Sequence, residues 1–232
     1  MFGGQPVFDT THALYLWEWS YYPQFLIPYR DINAAVVVDE SHTHRVKRGT
    51  VSRIGLRAGG REHTDAGYRY LESSIDGLVG RARFDWEVMD AWFEEDEQVF
   101  VHPRNPYVRI DALRSTRTVR VERDGLVLAE SQAPVMVFET GLPTRYYVDR
   151  GVVDFAVLSP SETVTACPYK GQTSAYWSVE VAGKVYPDLA WSYDFPTRQL
   201  LPIAGMVAFY NEKVDVFIDG TLQPQPTTHF FE

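Results

Sequence analysis

One cysteine in 232 residues, no long apolar run and fewer basic than acidic side chains describe this chain first by what it lacks. A single thiol closes no intrachain disulfide, which suits a reducing compartment, and a cytoplasmic location is expected. Twenty-two lysines and arginines stand against 31 aspartates and glutamates, for a net charge of −9. A general nucleic-acid binder needs a basic surface to neutralise phosphates, so nucleic acid is not an expected partner. No stretch approaches the roughly 20 apolar residues of a membrane helix, and no membrane association is expected. The apolar stretch 13–17 runs straight into Glu18 with no basic leader, so it does not read as a signal peptide. There is no phosphate-binding glycine loop and no dinucleotide fingerprint; Gly3-Gly4 and Gly59-Gly60 read as turn glycines. The histidines (His12, His42, His44, His63, His102 and His229) are scattered, and with one cysteine no metal site is expected.

What the chain does have is strand text. Apolar runs at 119–121 and 126–129 flank Asp124-Gly125, a strong hairpin signal. Residues 135–138, 176–181, 206–210 and 214–218 read as further strands, with a turn at Asp219-Gly220. In the first half, 34–38 and 51–56 are strand-like. Aromatic residues make up 14%, which suits sheets and pocket walls alike. Short strands at this spacing predict a mainly β fold of sandwich or partly open barrel type. One segment differs: Trp86, Met89, Trp92 and Phe93 fall at helical spacing, which predicts a short helix over 84–99, stopped by Pro103 and Pro106.

The two halves also match each other. Asp9-Thr10 lies over Glu130-Ser131, and Glu18 over Glu139, at an offset of 121. Pro23, Arg30 and Ser41 lie over Pro143, Arg150 and Ser161 at 120. Arg48-Gly49 lies over Lys170-Gly171 at 122, Gly60 over Gly183 at 123, and Gly80 and Phe84 over Gly205 and Phe209 at 125. The common order of these matches predicts two related β-rich units: a diverged first copy at 1–100, a connecting segment at 101–117 and a second copy at 118–232. In this alignment Arg45 falls over Cys167, so the first copy keeps a cation but lacks the thiol.

Three dense motifs sit in the second copy: ETGLPTRYY at 139–147, TACPYKG at 165–171 and AWSYDFP at 190–196. In this order they resemble an uncharacterised bacterial family, domain of unknown function 427, which also carries a nucleotidyltransferase-like label. The first copy resembles it more loosely, through WEW at 17–19 and IPYRDI at 27–32. The resemblance implies a compact, mainly β unit present in tandem. It implies no established activity.

Read as chemistry, the motifs gather candidate catalytic residues Cys167, Lys170 and Glu139. Lys170 follows Cys167 by three residues across a turn begun by Pro168 and ended by Gly171, and a nearby cation lowers a thiol's pKa and makes it a nucleophile. The alternative is a small buried hydrophobe. Lys170 could hold an anion as a point charge, or pair with Glu139 and pin two loops. Glu139 ends an apolar strand and could serve as acid or base, or as a brace that Glu18 repeats. Arg145 could offer a bidentate fork to an anion. Tyr147, Tyr169, Trp191 and Tyr193 are the candidate ligand-binding walls, while Asp194 caps a turn before Phe195-Pro196. No cofactor is identifiable. The expected function is that of a small-molecule enzyme, by group transfer or hydrolysis. The alternative is a non-catalytic binding module for a small anionic or aromatic ligand. Cys167, Lys170 and Glu139 are expected in one partly accessible pocket, walled by Tyr147, Trp191 or Tyr193.

Overall fold

The structure is a computed structural model that describes residues 1–18, 22–228 and 231. Trp19 of the WEW stretch and His229 lie outside the described residues. The chain divides into two units, Met1–Asn105 and Pro106–Glu232. Their regular structure is almost entirely antiparallel strand, with short 3-10 turns between, and none of the sheets closes into a barrel among the described residues. No helix of the described residues is long and apolar enough to cross a membrane.

The first unit contains β1 (Leu14–Trp17), β2 (Pro23–Pro28), β3 (Val37–Val46), β4 (Gly49–Ala58), β5 (Arg61–Glu72) and β6 (Arg81–Phe84). They form one sheet in the order β1-β2-β6-β5-β4-β3. Because side chains alternate along a strand, the sheet has two apolar faces. One carries Ile27, Ile54, Leu56, Ala82 and Phe84, covered by Phe2, Val7, Met89 and Trp92. The other carries Leu26, Val51, Tyr70 and Leu78.

The helix expected over 84–99 does not form. The segment holds a single 3-10 turn, Trp86–Val88, and then a hairpin of β7 (Trp92–Glu94) and β8 (Glu97–Val99). The helical spacing of Trp86 and Trp92 instead serves a ring stack at 4.5 Å, with Trp92 Nε1 donating to the Trp86 carbonyl at 3.0 Å. The acidic run 94–97 forms the hairpin turn, where Glu95 takes a positive φ.

The second unit contains β9 (Ile110–Arg114), β10 (Val119–Arg123), β11 (Leu126–Ser131), β12 (Val135–Glu139), β13 (Arg145–Val148) and β14 (Leu158–Ser161). It continues with β15 (Ala166–Cys167), β16 (Gly171–Gln172), β17 (Ala175–Val181), β18 (Lys184–Ser192), β19 (Val207–Phe209), β20 (Asp215–Ile218) and β21 (Thr221–Leu222). Seven strands form the large sheet, β14-β17-β18-β19-β13-β12-β9. Its strand β9 lies within the stretch 101–117 that the sequence reads as connecting. One face packs Val148, Val179, Leu189 and Phe209 against the smaller sheet β11-β10-β20-β21. The other face is aromatic, with Tyr147, Tyr176, Trp191 and Tyr193 under Leu200 and Ile203 of the 3-10 segment Arg198–Ile203.

The six-strand order recurs in the second unit as β12-β13-β19-β18-β17-β14. Register recurs with it. Phe8 bridges Ile32 as Ala129 bridges Val153, and the Asn33 amide donates to Val7 O as the Asp154 amide donates to Leu128 O. Gly67 pairs with Phe84 as Ala190 pairs with Phe209. Both units carry a bulge at the same place, with Asp65 and Asp188 at φ of 54° and 49°.

Two details of the sequence alignment are corrected. The offset stays at 121 through Val37, which pairs with Leu56 as Leu158 pairs with Val179. The matches at 120 for Pro23 and Arg30 are therefore one residue out of register, because no residue is lost between the equivalent 3-10 turns Tyr29–Asp31 and Arg150–Val152, while Ser41 falls in a bulge of β3. Val46, not Arg45, is the counterpart of Cys167: it pairs with Gly49 as Cys167 pairs with Gly171. The first hairpin turns with two residues where the second uses three, and only the pairing reveals which residue is dropped.

Candidate functional site

The short β15–β16 ribbon lies at the aromatic face of the large sheet. Its turn, residues 168–170, is tied down by Thr197, whose hydroxyl donates to Tyr169 O at 2.6 Å and whose amide donates to Lys170 O at 3.1 Å. Gly171 closes the turn at φ +94°, a conformation that favours glycine. Across the ribbon, Thr173 Oγ1 donates to Thr165 O at 3.0 Å and accepts from the Thr165 amide at 2.8 Å.

This anchoring points Lys170 inward. Its Nζ donates to Glu139 Oε2 at the end of β12 and stands 3.8 Å from Cys167 Sγ. The side chains of Lys170 and Glu139 are only 10% and 9% exposed, while Cys167 is half-buried. Burial works against the ammonium, but the Cys167 sulfur, the Glu139 carboxylate and Tyr147 more than offset it, so Lys170 is held charged, above its ordinary value. The three candidate catalytic residues thus meet at one point: the turn brings Lys170 to Cys167, and the sheet brings Glu139 to both.

Below them lies a tyrosine-rich floor. Tyr147 is fully buried, and its Oη accepts from Trp191 Nε1 at 3.2 Å. Burial pushes the Tyr147 hydroxyl up to about 12, against the opposing pull of Lys170 and Trp191. Tyr193 is raised well above its ordinary value, first by burial and then by Tyr147 and Cys167. Tyr176 Oη sits 2.9 Å from Tyr210 Oη and 3.0 Å from Thr165 Oγ1. The Tyr147 and Tyr193 hydroxyls are therefore proton-bearing at neutral pH and able to donate a hydrogen bond.

The remaining sequence candidates separate. Arg145 shares the face of Tyr147 on β13 but is already engaged: both terminal nitrogens bind Glu212, and Nη1 also reaches Asn211. Trp191 lies between these groups, 4.3 Å centroid to centroid from Tyr210 and beneath the Arg145 guanidinium at 5.9 Å. Tyr169 is half-buried in the ribbon turn. Asp194 is exposed and pairs with Arg150 at 2.9 Å. Glu212, Tyr176 and Tyr210 escaped the sequence reading. The signal for Tyr210 and Glu212 is an apolar strand ending in Tyr-Asn-Glu, residues 210–212, and that for Tyr176 is its place at the start of the strand read at 176–181. A separate cleft of about 140 Å³, lined by Pro143, Thr144, Tyr146, Asn211, Pro224 and Pro226, includes none of the three catalytic candidates. Among the described residues no three histidine, cysteine or acidic side chains stand where they could hold a metal ion.

Residues 1–95 and 111–220 match the model of one protein family, described as a domain of unknown function (DUF427). No curated protein matches the chain.

Proposed function

We propose, on the premise that the chain belongs to the DUF427 family, that its second unit is a small-molecule enzyme using Cys167 as a nucleophile for group transfer or hydrolysis. The observation that carries this reading is the Lys170 ammonium, fixed by Glu139 and standing 3.8 Å from the half-buried sulfur. A fixed cation beside a thiol favours the thiolate, the form that attacks. In an acyl substrate the sulfur adds to the carbonyl carbon and the bond to the leaving group breaks. The departing oxygen or nitrogen takes a proton from Lys170. Water or an acceptor then cleaves the thioester and frees the sulfur as thiolate, and the acceptor's proton returns to the amine. Glu139 positions Lys170, and the neutral tyrosine hydroxyls are the available donors to a developing oxyanion. A reducing, cytoplasmic setting would keep the single thiol free. The shared register supports reading the two units as diverged copies, of which only the second carries the thiol.

A second reading, a non-catalytic module for a small anionic or aromatic ligand, is favoured by one feature. Lys170 and Glu139 are about equally buried and neutralise each other, as a structural brace would. Alkylation of the native protein with iodoacetamide near pH 7 separates the two. The nucleophile reading expects Cys167 to react in the folded state, and Lys170→Gln to react about tenfold more slowly. A thiol that stays unmodified until the protein is unfolded would leave only the binding module.

A further inference from the structure

The first unit rebuilds the same corner without a thiol, and there it leaves hydrogen-bonding groups unused. Val46 stands at the place of Cys167, Arg48 at that of Lys170 and Glu18 at that of Glu139. Tyr70 stands at the place of Tyr193: the Gly80 amide donates to Tyr70 O at 3.0 Å as the Gly205 amide donates to Tyr193 O at 2.8 Å. One cation is new. Arg83, whose counterpart is Ala208, donates from Nη1 to Glu18 Oε2 at 2.8 Å and to Tyr68 Oη at 3.2 Å.

Glu18 does not saturate these cations. Arg48 Nε lies 3.9 Å from Glu18 Oε1, beyond hydrogen-bond reach, and Arg48 Nη2 donates to Trp17 O at 2.9 Å. Arg83 Nε is buried without a partner. So is the hydroxyl of Tyr70, a residue only 1% exposed; its pKa is raised first by burial and then by the neighbouring Tyr68 hydroxyl, which does not meet it in hydrogen-bond geometry. The same hydroxyl feels the charges of both Glu18 and Arg48, which places it against the pair. A buried donor with no acceptor is costly, and a bound group that supplies the acceptor is one physical explanation of it. The corner is also open: the side chains of Arg48, Arg83 and Glu18 are 22%, 23% and 24% exposed.

We propose that Arg48, Arg83 and Tyr70 form a non-covalent binding site for a small-molecule carboxylate. Arg83 is matched by Glu18 and Asp85, whereas Arg48 has no carboxylate within hydrogen-bond reach, so the guanidinium left to meet a ligand is that of Arg48. Asp85, 3.5 Å from Arg83 Nη2 and more than half exposed, screens the outer side. A planar monoanion matches the guanidinium fork of Arg48 and supplies the acceptor that Tyr70 lacks. Tyr68, set edge-on to Tyr70 at 5.5 Å and half-buried, offers an aromatic wall to an apolar substituent. The site does not depend on the reading of Cys167, and an unreactive Cys167 would leave it untouched.

The test is calorimetric titration of the full chain carrying Cys167→Ser with sodium benzoate, with benzamide as the neutral isostere and inorganic phosphate as the tetrahedral anion. Benzoate is expected to bind at one site per chain, and benzamide not at all. Tyr70→Phe is expected to weaken benzoate roughly tenfold, the loss of one hydrogen bond to a charged acceptor. The same variant should melt at the wild-type temperature or above it, since it deletes a buried hydroxyl that bonds to nothing. The inference is overturned if benzoate gives no saturable heat, if phosphate or benzamide binds as tightly, or if Tyr70→Phe binds unchanged. It is overturned equally if Tyr70→Phe lowers the melting temperature, because the hydroxyl would then have a partner within the protein.

Discussion

Glu18 in the first unit and Glu139 in the second stand at the ends of equivalent strands, but their surroundings differ. Glu139 meets one lysine in a nearly closed, charge-balanced contact beside a thiol, over the buried hydroxyls of Tyr147 and Tyr193. Glu18 meets two arginines at a more open corner, over Leu26 at the place of Tyr147 and over Tyr70 with its hydroxyl unpaired. One backbone frame thus carries either a compact neutral pair poised on sulfur or a spread, more open set of ion pairs. The substitutions that separate them are Val46 for Cys167, Arg48 for Lys170, Arg83 for Ala208 and Leu26 for Tyr147. Three of these fall at positions that the strand pairing holds in common, while Arg48 and Lys170 lie in hairpin turns of two and three residues.

The sharpest way to break that comparison is to remove the cation from each corner. Lys170→Met strands a carboxylate that is 9% exposed, and a loss of about 3–5 kcal/mol is expected. Arg48→Met leaves Glu18 still bound by Arg83 and partly solvated, so about 1 kcal/mol or less is expected. Chemical denaturation of both variants decides it, and equal losses would erase the distinction between closed and open corners.

A smaller and pH-dependent effect follows from Glu212, a feature of the second unit. Burial alone would raise this carboxyl, 3% exposed, but the hydrogen bonds and charge of Arg145 hold it below its ordinary value. The folded state therefore binds the proton less readily than the unfolded chain. Its contribution is present above the unfolded value, near pH ~4.3, and is lost as pH falls through the lower folded value. Urea titrations from pH 7 down to 3 should show stability falling with acid in the wild type and a flatter profile in Glu212→Gln. An unchanged profile would remove Glu212 from the acid response.

The smallest effect is expected from Cys167→Val, which copies the residue the first unit uses at that position. A change of about 1 kcal/mol or less is expected in thermal unfolding, since the frame already accepts valine there. A larger loss would mean that the two ribbons impose different packing despite their shared pairing.

Much of this could be read from the residues. Apolar runs and Asp-Gly turns correctly announce β10, β11, β12, β17 and β20, because a strand covered on one face alternates, as β10 does, and one covered on both reads as a continuous apolar run, as β12 does. The three-residue step from Cys167 to Lys170 announces their meeting, because a turn is local and its geometry is carried by Pro168 and Gly171. The stretch 84–99 misled because stacked tryptophans at 86 and 92 mimic helical spacing. Arg145 misled because its partner Glu212 is 67 residues away and is brought near only by the β13–β19 pairing.

The sequence by itself therefore determined the β character, the repeated unit and the local cation–thiol contact, all of which depend on neighbours within a few residues or on self-similarity. Tertiary structure alone decided that Glu139 closes on Lys170, that Arg145 is already engaged, and that Tyr70 is left without a partner. Each is a contact across strands. Whether a polar group is satisfied depends on which distant side chain the register delivers to it, and register is a property of the folded sheet.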